Sequence, residues 1–117
     1  MEENKTQETI VLIKNDIYHR NNYTTFLRHN GYRVFCSEEH KTGAVYTENE
    51  QPIVVITDSL RYFREIREKE ISVPTLYITP VSSRKKYGLK YGAEKTLLEP
   101  FDFRELLEFV KKYSKIK

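Results

Sequence analysis

The chain has 117 residues, enough for one domain with its own core, and its 20 basic and 17 acidic residues leave a net charge of only +3. That near-balance argues against a nucleic-acid binder, whose basic residues usually collect on one face. No apolar run approaches the ~18 residues of a membrane span, no signal-peptide pattern opens the chain, and Cys36 has no second cysteine to pair with. A cytoplasmic protein of the reducing compartment is the expectation.

Residues 1–8 are polar and read as a flexible tail, with a single domain over 9–117. Thr9-Ile10-Val11-Leu12-Ile13 lacks polar alternation, the pattern of a strand buried on both faces, and it runs into Lys14-Asn15-Asp16. Ile17 to Asn30 carries Tyr23, Phe26 and Leu27 at helical spacing and stops at Asn30-Gly31. Tyr32 to Cys36 is a short strand. Glu38 to Glu48 is a weaker helix, with Ala44 and Val45 facing inward and Gly43 lowering its propensity.

Pro52 opens the run Ile53-Val54-Val55-Ile56-Thr57, read as the central strand, which ends on Asp58. Open α/β sheets keep their chemistry just beyond the carboxyl ends of the strands, so Asp58 stands where a site belongs. Capping the next helix, a task Ser59 could share, is the other reading of the same residue. Ser59 to Lys69 is helical, with Leu60, Phe63 and Ile66 inward and Tyr62 beside them. Thr75 to Thr79 is a fourth strand, Ser82 to Tyr91 a basic helix closed by Gly92, and Thr96 to Leu98 a fifth strand leading into Glu99-Pro100. Asp102-Phe103-Arg104-Glu105 has the form of a capping box for a last helix bearing Leu106, Leu107, Phe109, Val110 and Tyr113. Five strand-helix units predict a five-stranded, doubly wound parallel α/β sheet with helices on both faces.

From about Thr9 to Tyr113 the pieces resemble, in order, the receiver domains of bacterial two-component response regulators, a flavodoxin-like fold. An apolar strand ends in an acidic pair, matched by Asn15-Asp16. The strand bearing the phosphorylated aspartate matches Pro52 to Asp58. Val73 to Thr79, Gly88-Leu89-Lys90-Tyr91-Gly92-Ala93 and Glu99-Pro100-Phe101-Asp102 match three further motifs. The resemblance implies phosphoryl transfer from a histidine kinase to Asp58. Mg²⁺ and a lysine neutralise the phosphoryl oxygens, and a hydroxyl, here Thr79, moves to meet the phosphate. It also implies a cis peptide before Pro100.

Four departures weaken that chemistry. Asn15 stands in the first acidic position, Glu99 in the lysine position and Thr96 in the aromatic switch position. The loop after the aspartate is missing, because Ser59-Leu60 enters the helix directly. Asp16 and Asp58 remain as metal ligands, but an amide at Asn15 carries no charge, so Mg²⁺ is not required and binds weakly if at all. Asp16, Asp58 and Glu99 are expected to crowd one cleft. Lys14 either reaches Glu99 or Asp58 with its ammonium or extends to the sheet end without a role, and the second is expected. Thr79 reads equally as a phosphate-sensing hydroxyl or as a plain β-branched strand residue. His19, His29 and His40 lack metal-ligand spacing and read as surface residues, and Cys36 reads as core. Arg84, Lys85, Lys86 and Lys90 read as the solvated face of an amphipathic helix.

The resulting expectation is a degenerate receiver that is not an enzyme. It signals through protein partners or self-association over residues 82–113, touches neither membrane nor nucleic acid directly, and has lost or weakened phosphorylation. No output domain follows it in this sequence, so it reads as a stand-alone module or part of a longer regulator. Two alternatives stay open: a working phosphoacceptor with Asp58 modified by a histidine kinase, and the N-terminal dimerisation domain of a DNA-binding transcriptional regulator.

Overall fold

The computed structural model describes residues 7–115. The continuous apolar runs form β1 (Thr9–Ile13), β3 (Val54–Thr57) and β4 (Thr75–Thr79), every residue of which is buried. β2 (Arg33–Ser37) and β5 (Lys95–Leu98) flank them in an all-parallel sheet of order β2-β1-β3-β4-β5. β3 is therefore central, as its unbroken hydrophobicity requires.

Side chains alternate across the sheet and feed two cores. Ile10, Leu12, Val54, Ile56, Leu76 and Ile78 face α1 (Ile17–His29) and α5 (Phe103–Tyr113), meeting Tyr23, Leu27, Leu106, Phe109 and Val110. Val11, Ile13 and Val55 face α2 (His40–Glu50) and α3 (Arg61–Glu68), meeting Ala44, Tyr62 and Ile66. Phe63, Tyr77 and Ala93 form a smaller cluster beside α4 (Lys85–Tyr91), which a 3₁₀ turn at Ser82–Arg84 precedes. Of the expected tail, residues 1–6 lie outside the described residues. Gln7 Nε2 donates to the Gly31 carbonyl, and the Glu8 carboxylate accepts the Ser114 hydroxyl and the Lys115 N–H.

Three local expectations are corrected. α2 starts two residues late, because the Glu39 carboxylate caps it through the Thr42 N–H at 2.9 Å. Gly43, Ala44 and Thr47 face inward, while Val45 is exposed. The Thr47 hydroxyl then bonds the Gly43 carbonyl and meets the Tyr62 hydroxyl at 3.0 Å, joining α2 to α3. At α5, Asp102 caps through the Arg104 N–H at 2.8 Å, and the Arg104 guanidinium closes the cap where Glu105 was expected. Finally, Cys36 is only partly buried, at the edge of the larger core.

Candidate functional site

The site forms where β1, β3, β4 and β5 end. Ile13 pairs with Thr57, so the next residues, Lys14 and Asp58, leave their strands at the same level. The Asp58 N–H donates to the Ile13 carbonyl at 3.0 Å, and the Asn15 N–H returns a bond to Asp58 Oδ2 at 3.1 Å. Arg20, from the first turns of α1, donates to the carbonyls of Lys14 and Asn15 at 2.8 and 3.1 Å, fixing this short crossing.

The side chain in the cleft is that of Lys14, which is 4% exposed. Its Nζ lies 3.1 Å from Glu99 Oε1 and 3.6 Å from Asp58 Oδ2. Lys14 therefore does not merely extend to the sheet end, and the expectation that it lacks a contact is corrected. The reason is steric and electrostatic: its stem leaves a fully buried strand, and two carboxylates are the polar groups within its reach. The second Glu99 oxygen accepts the Tyr23 hydroxyl. Glu99 itself is buried, its N–H donates to the Thr79 carbonyl at 2.8 Å, and the Glu99–Pro100 peptide is cis. Tyr23 was legible only as an inward helix residue; nothing local marks it as a donor to a glutamate 76 positions away. Its ring packs against Phe101, Phe103 and His19, with centroids 5.5, 5.6 and 5.7 Å away.

Asp16, expected beside Asp58 as a cation ligand, caps α1. Its Oδ1 accepts the Tyr18 N–H at 3.2 Å, and its Oδ2 lies 2.7 Å from His19 Nδ1. The Lys14 ammonium stands between two of the three expected carboxylates, Asp58 and Glu99. The loop after Asp58 is as short as the sequence implied. The Ser59 N–H donates to the Thr57 hydroxyl at 2.9 Å, and the Leu60 carbonyl accepts the Phe63 N–H at 3.2 Å. Thr79 is buried, and its hydroxyl accepts the Val81 N–H at 3.1 Å. An open depression of about 480 Å³ beside Asp58 is lined by Asn15, Glu38, His40, Arg61 and Arg84 among others. Arg84, from the 3₁₀ turn, is among these lining residues, and like Lys85, Lys86 and Lys90 it is exposed. His29 is exposed, and His40 lies 3.6 Å from Glu65.

This donor set does not fit a divalent cation. Asp58 is engaged by an ammonium, Asp16 by its helix and His19, and the Leu60 carbonyl by its own helix. Among the described residues no three His, Cys, Asp or Glu side chains converge as a metal site.

Burial, then the hydrogen bond to Glu99 and its charge, push the Tyr23 phenol far above the ordinary tyrosine value, and burial does the same to Tyr62. Both phenols hold their protons in the folded state where the unfolded chain would release them. Their contribution to stability is therefore complete below about pH 10 and is lost as pH rises above it. Urea unfolding followed by circular dichroism should show stability falling above that pH, less steeply in Tyr23→Phe than in the parent.

No family model matches the chain. It is 29% identical over 117 residues to the transcriptional regulatory protein CrdR of Helicobacter pylori, an alignment covering 92% of this chain and 55% of that protein. The chain thus spans about half the length of that relative. Among solved structures it superposes on the chemotaxis response regulator CheY4 of Vibrio cholerae with a TM-score of 0.79 at 19% identity, covering 93% of this chain and all of that one. FixJ-N gives 0.82 at 16% identity, covering 97% and 98% of the two chains. The receiver domain of the sensor histidine kinase PA1611 from Pseudomonas aeruginosa, which holds a magnesium ion in its active-site cleft, gives 0.82 at 21% identity, covering 92% and 98%.

Proposed function

From a chain with the fold of the response-regulator receiver domains, we propose a signalling module of two-component type that works through protein contacts and has lost, or much weakened, phosphorylation at Asp58. The observation that supports this most is the occupied carboxylate: Asp58 Oδ2 holds the Asn15 N–H and faces the Lys14 ammonium, which Glu99 shares. Phosphoryl transfer needs its charge stabilised by groups aimed at the equatorial oxygens. Here the lysine expected at position 99 is a glutamate, and phosphorylation of Asp58 would add negative charge beside it. Losing one preorganised contact of this kind costs about 10²–10³ in rate. The domain's effect on partners then comes from its surface. Tyr87, Leu89 and Leu98 are exposed apolar groups of α4 and β5, within the 82–113 region assigned to partner or self contacts, and Tyr91 at the end of α4 joins them. Among the described residues no helix is long and apolar enough to cross a membrane.

Intact-mass measurement after incubation with Mg²⁺ and acetyl phosphate tests this reading, with an ordinary receiver as control. No added phosphate is the expected result. A gain of one phosphate, absent from Asp58→Ala, would overturn it and establish the second reading, a working phosphoacceptor. That second reading draws its support from Lys14, which supplies a cation 3.6 Å from Asp58, though from a different strand. The chain spans about half of the H. pylori transcriptional regulator, which supports reading the module as part of a longer regulator.

A further inference from the structure

The cleft carries its charges on the opposite strands from those the receiver resemblance implies. The cation comes from the end of β1, at Lys14, and the carboxylate facing it from the end of β5, at Glu99. We infer that the Lys14 ammonium is a tethered counter-ion that fills the cation position of the Asp58 cleft, so that the resting cleft takes no divalent cation.

Four observations carry this. The β1–β3 register sets Lys14 level with Asp58, so its backbone cannot drift from the site. Its side chain is 6% exposed, so the ammonium lies inside the cleft and not in bulk water. Its position is held from behind: Glu99 takes the ammonium on one oxygen and the Tyr23 hydroxyl on the other, and Tyr23 is wedged against Phe101 and Phe103. Glu99 and Tyr23 are thus positioning residues for Lys14. Lastly, two of the oxygens that the resemblance offers to a metal, those of Asp16 and the Leu60 carbonyl, have partners of their own. A divalent ion at Asp58 Oδ2 would have to displace an ammonium 3.6 Å away and then sit beside it, with like charges repelling in a partly desolvated cleft. The inference concerns the resting cleft and stands apart from whether Asp58 accepts phosphate.

The test is titration of the ¹⁵N-labelled chain with MgCl₂, without any phosphodonor, following the Asn15, Asp58 and Ser59 amide resonances. The wild-type chain should show no saturable shift into the tens of millimolar. The double variant Lys14→Asp, Glu99→Lys returns the charges to the other strands and keeps an ion pair across the cleft. It should bind Mg²⁺ about tenfold or more tighter, because a hard cation gains a carboxylate ligand and loses a competing ammonium. Saturable binding by the wild type at comparable affinity overturns the inference, as does a folded double variant that gains none. If the double variant does not fold, Lys14→Gln takes its place with the same expectation, and the wild-type titration decides alone if neither folds. Because no phosphodonor is present, this outcome is separable from that of the acetyl phosphate experiment.

Discussion

Lys14→Met is expected to destabilise the domain by about 3–5 kcal/mol, the usual consequence of removing one partner from a buried ion pair. The magnitude follows from what is left behind. Glu99 has a side chain only 4% exposed, and without the ammonium its charge rests on a single phenol donor from Tyr23. A solvated surface pair would cost about 0–1 kcal/mol, so urea unfolding at neutral pH distinguishes the two cases cleanly. The companion variant Lys14→Met, Glu99→Gln should recover much of the loss. It removes the uncompensated charge, while the glutamine amide oxygen still accepts the Tyr23 hydroxyl. A single variant within about 0.5 kcal/mol of the parent would mean that water reaches the pair and that the cleft is not sealed.

Gly88→Ala is the second large effect, and its sign is set by geometry against propensity. Alanine is favoured over glycine inside a helix by about 1 kcal/mol, so on an exposed helix the change would stabilise. Here an added Cβ would stand 2.5 Å from Tyr77 Cδ2, 2.7 Å from Thr96 Cγ2 and 2.8 Å from Tyr77 Cβ. Tyr77 is 1% exposed and its Cβ moves only with β4, so the clash must be relieved by lifting α4 from the sheet. Overpacking of this kind costs about 1–3 kcal/mol, which outweighs the propensity gain. Thermal unfolding should therefore show a lower midpoint. A midpoint at or above that of the parent would show that α4 is free to move away from Tyr77.

Much of the architecture was legible because it rests on local pattern. Unbroken apolar runs at 9–13 and 53–57 have few uses other than strands covered on both faces, and Asn30-Gly31 and Gly92 mark helix ends through their backbone freedom. The phase of α2 was not legible. Ala44 and Val45 are adjacent apolar residues, and packing against the sheet and α3 seats Ala44 in the core while leaving Val45 exposed. Gly43 reads in sequence as a weakness of that helix, yet a Cβ there would lie 2.2 Å from Ile13 Cδ1, so the glycine is what lets α2 lie against β1.

The same division holds at the site. Sequence alone determined that an aspartate, Asp58, closes the central strand, that the following loop is too short to offer a free carbonyl, and that position 99 is acidic. It could not choose among Lys14, Asn15 and Asp16 as the residue that enters the cleft, because consecutive residues at a strand end point in different directions and a shift of one reverses their roles. The β1–β3 register made that choice, turning Asp16 into a helix cap and Lys14 into the partner of Glu99. That pair joins residues 85 positions apart, and neither carries a local signal of the other. Local propensity writes strands and helix ends into short windows of sequence. Which charges share a buried cleft depends on how distant strands align, and only the folded sheet brings those ends together.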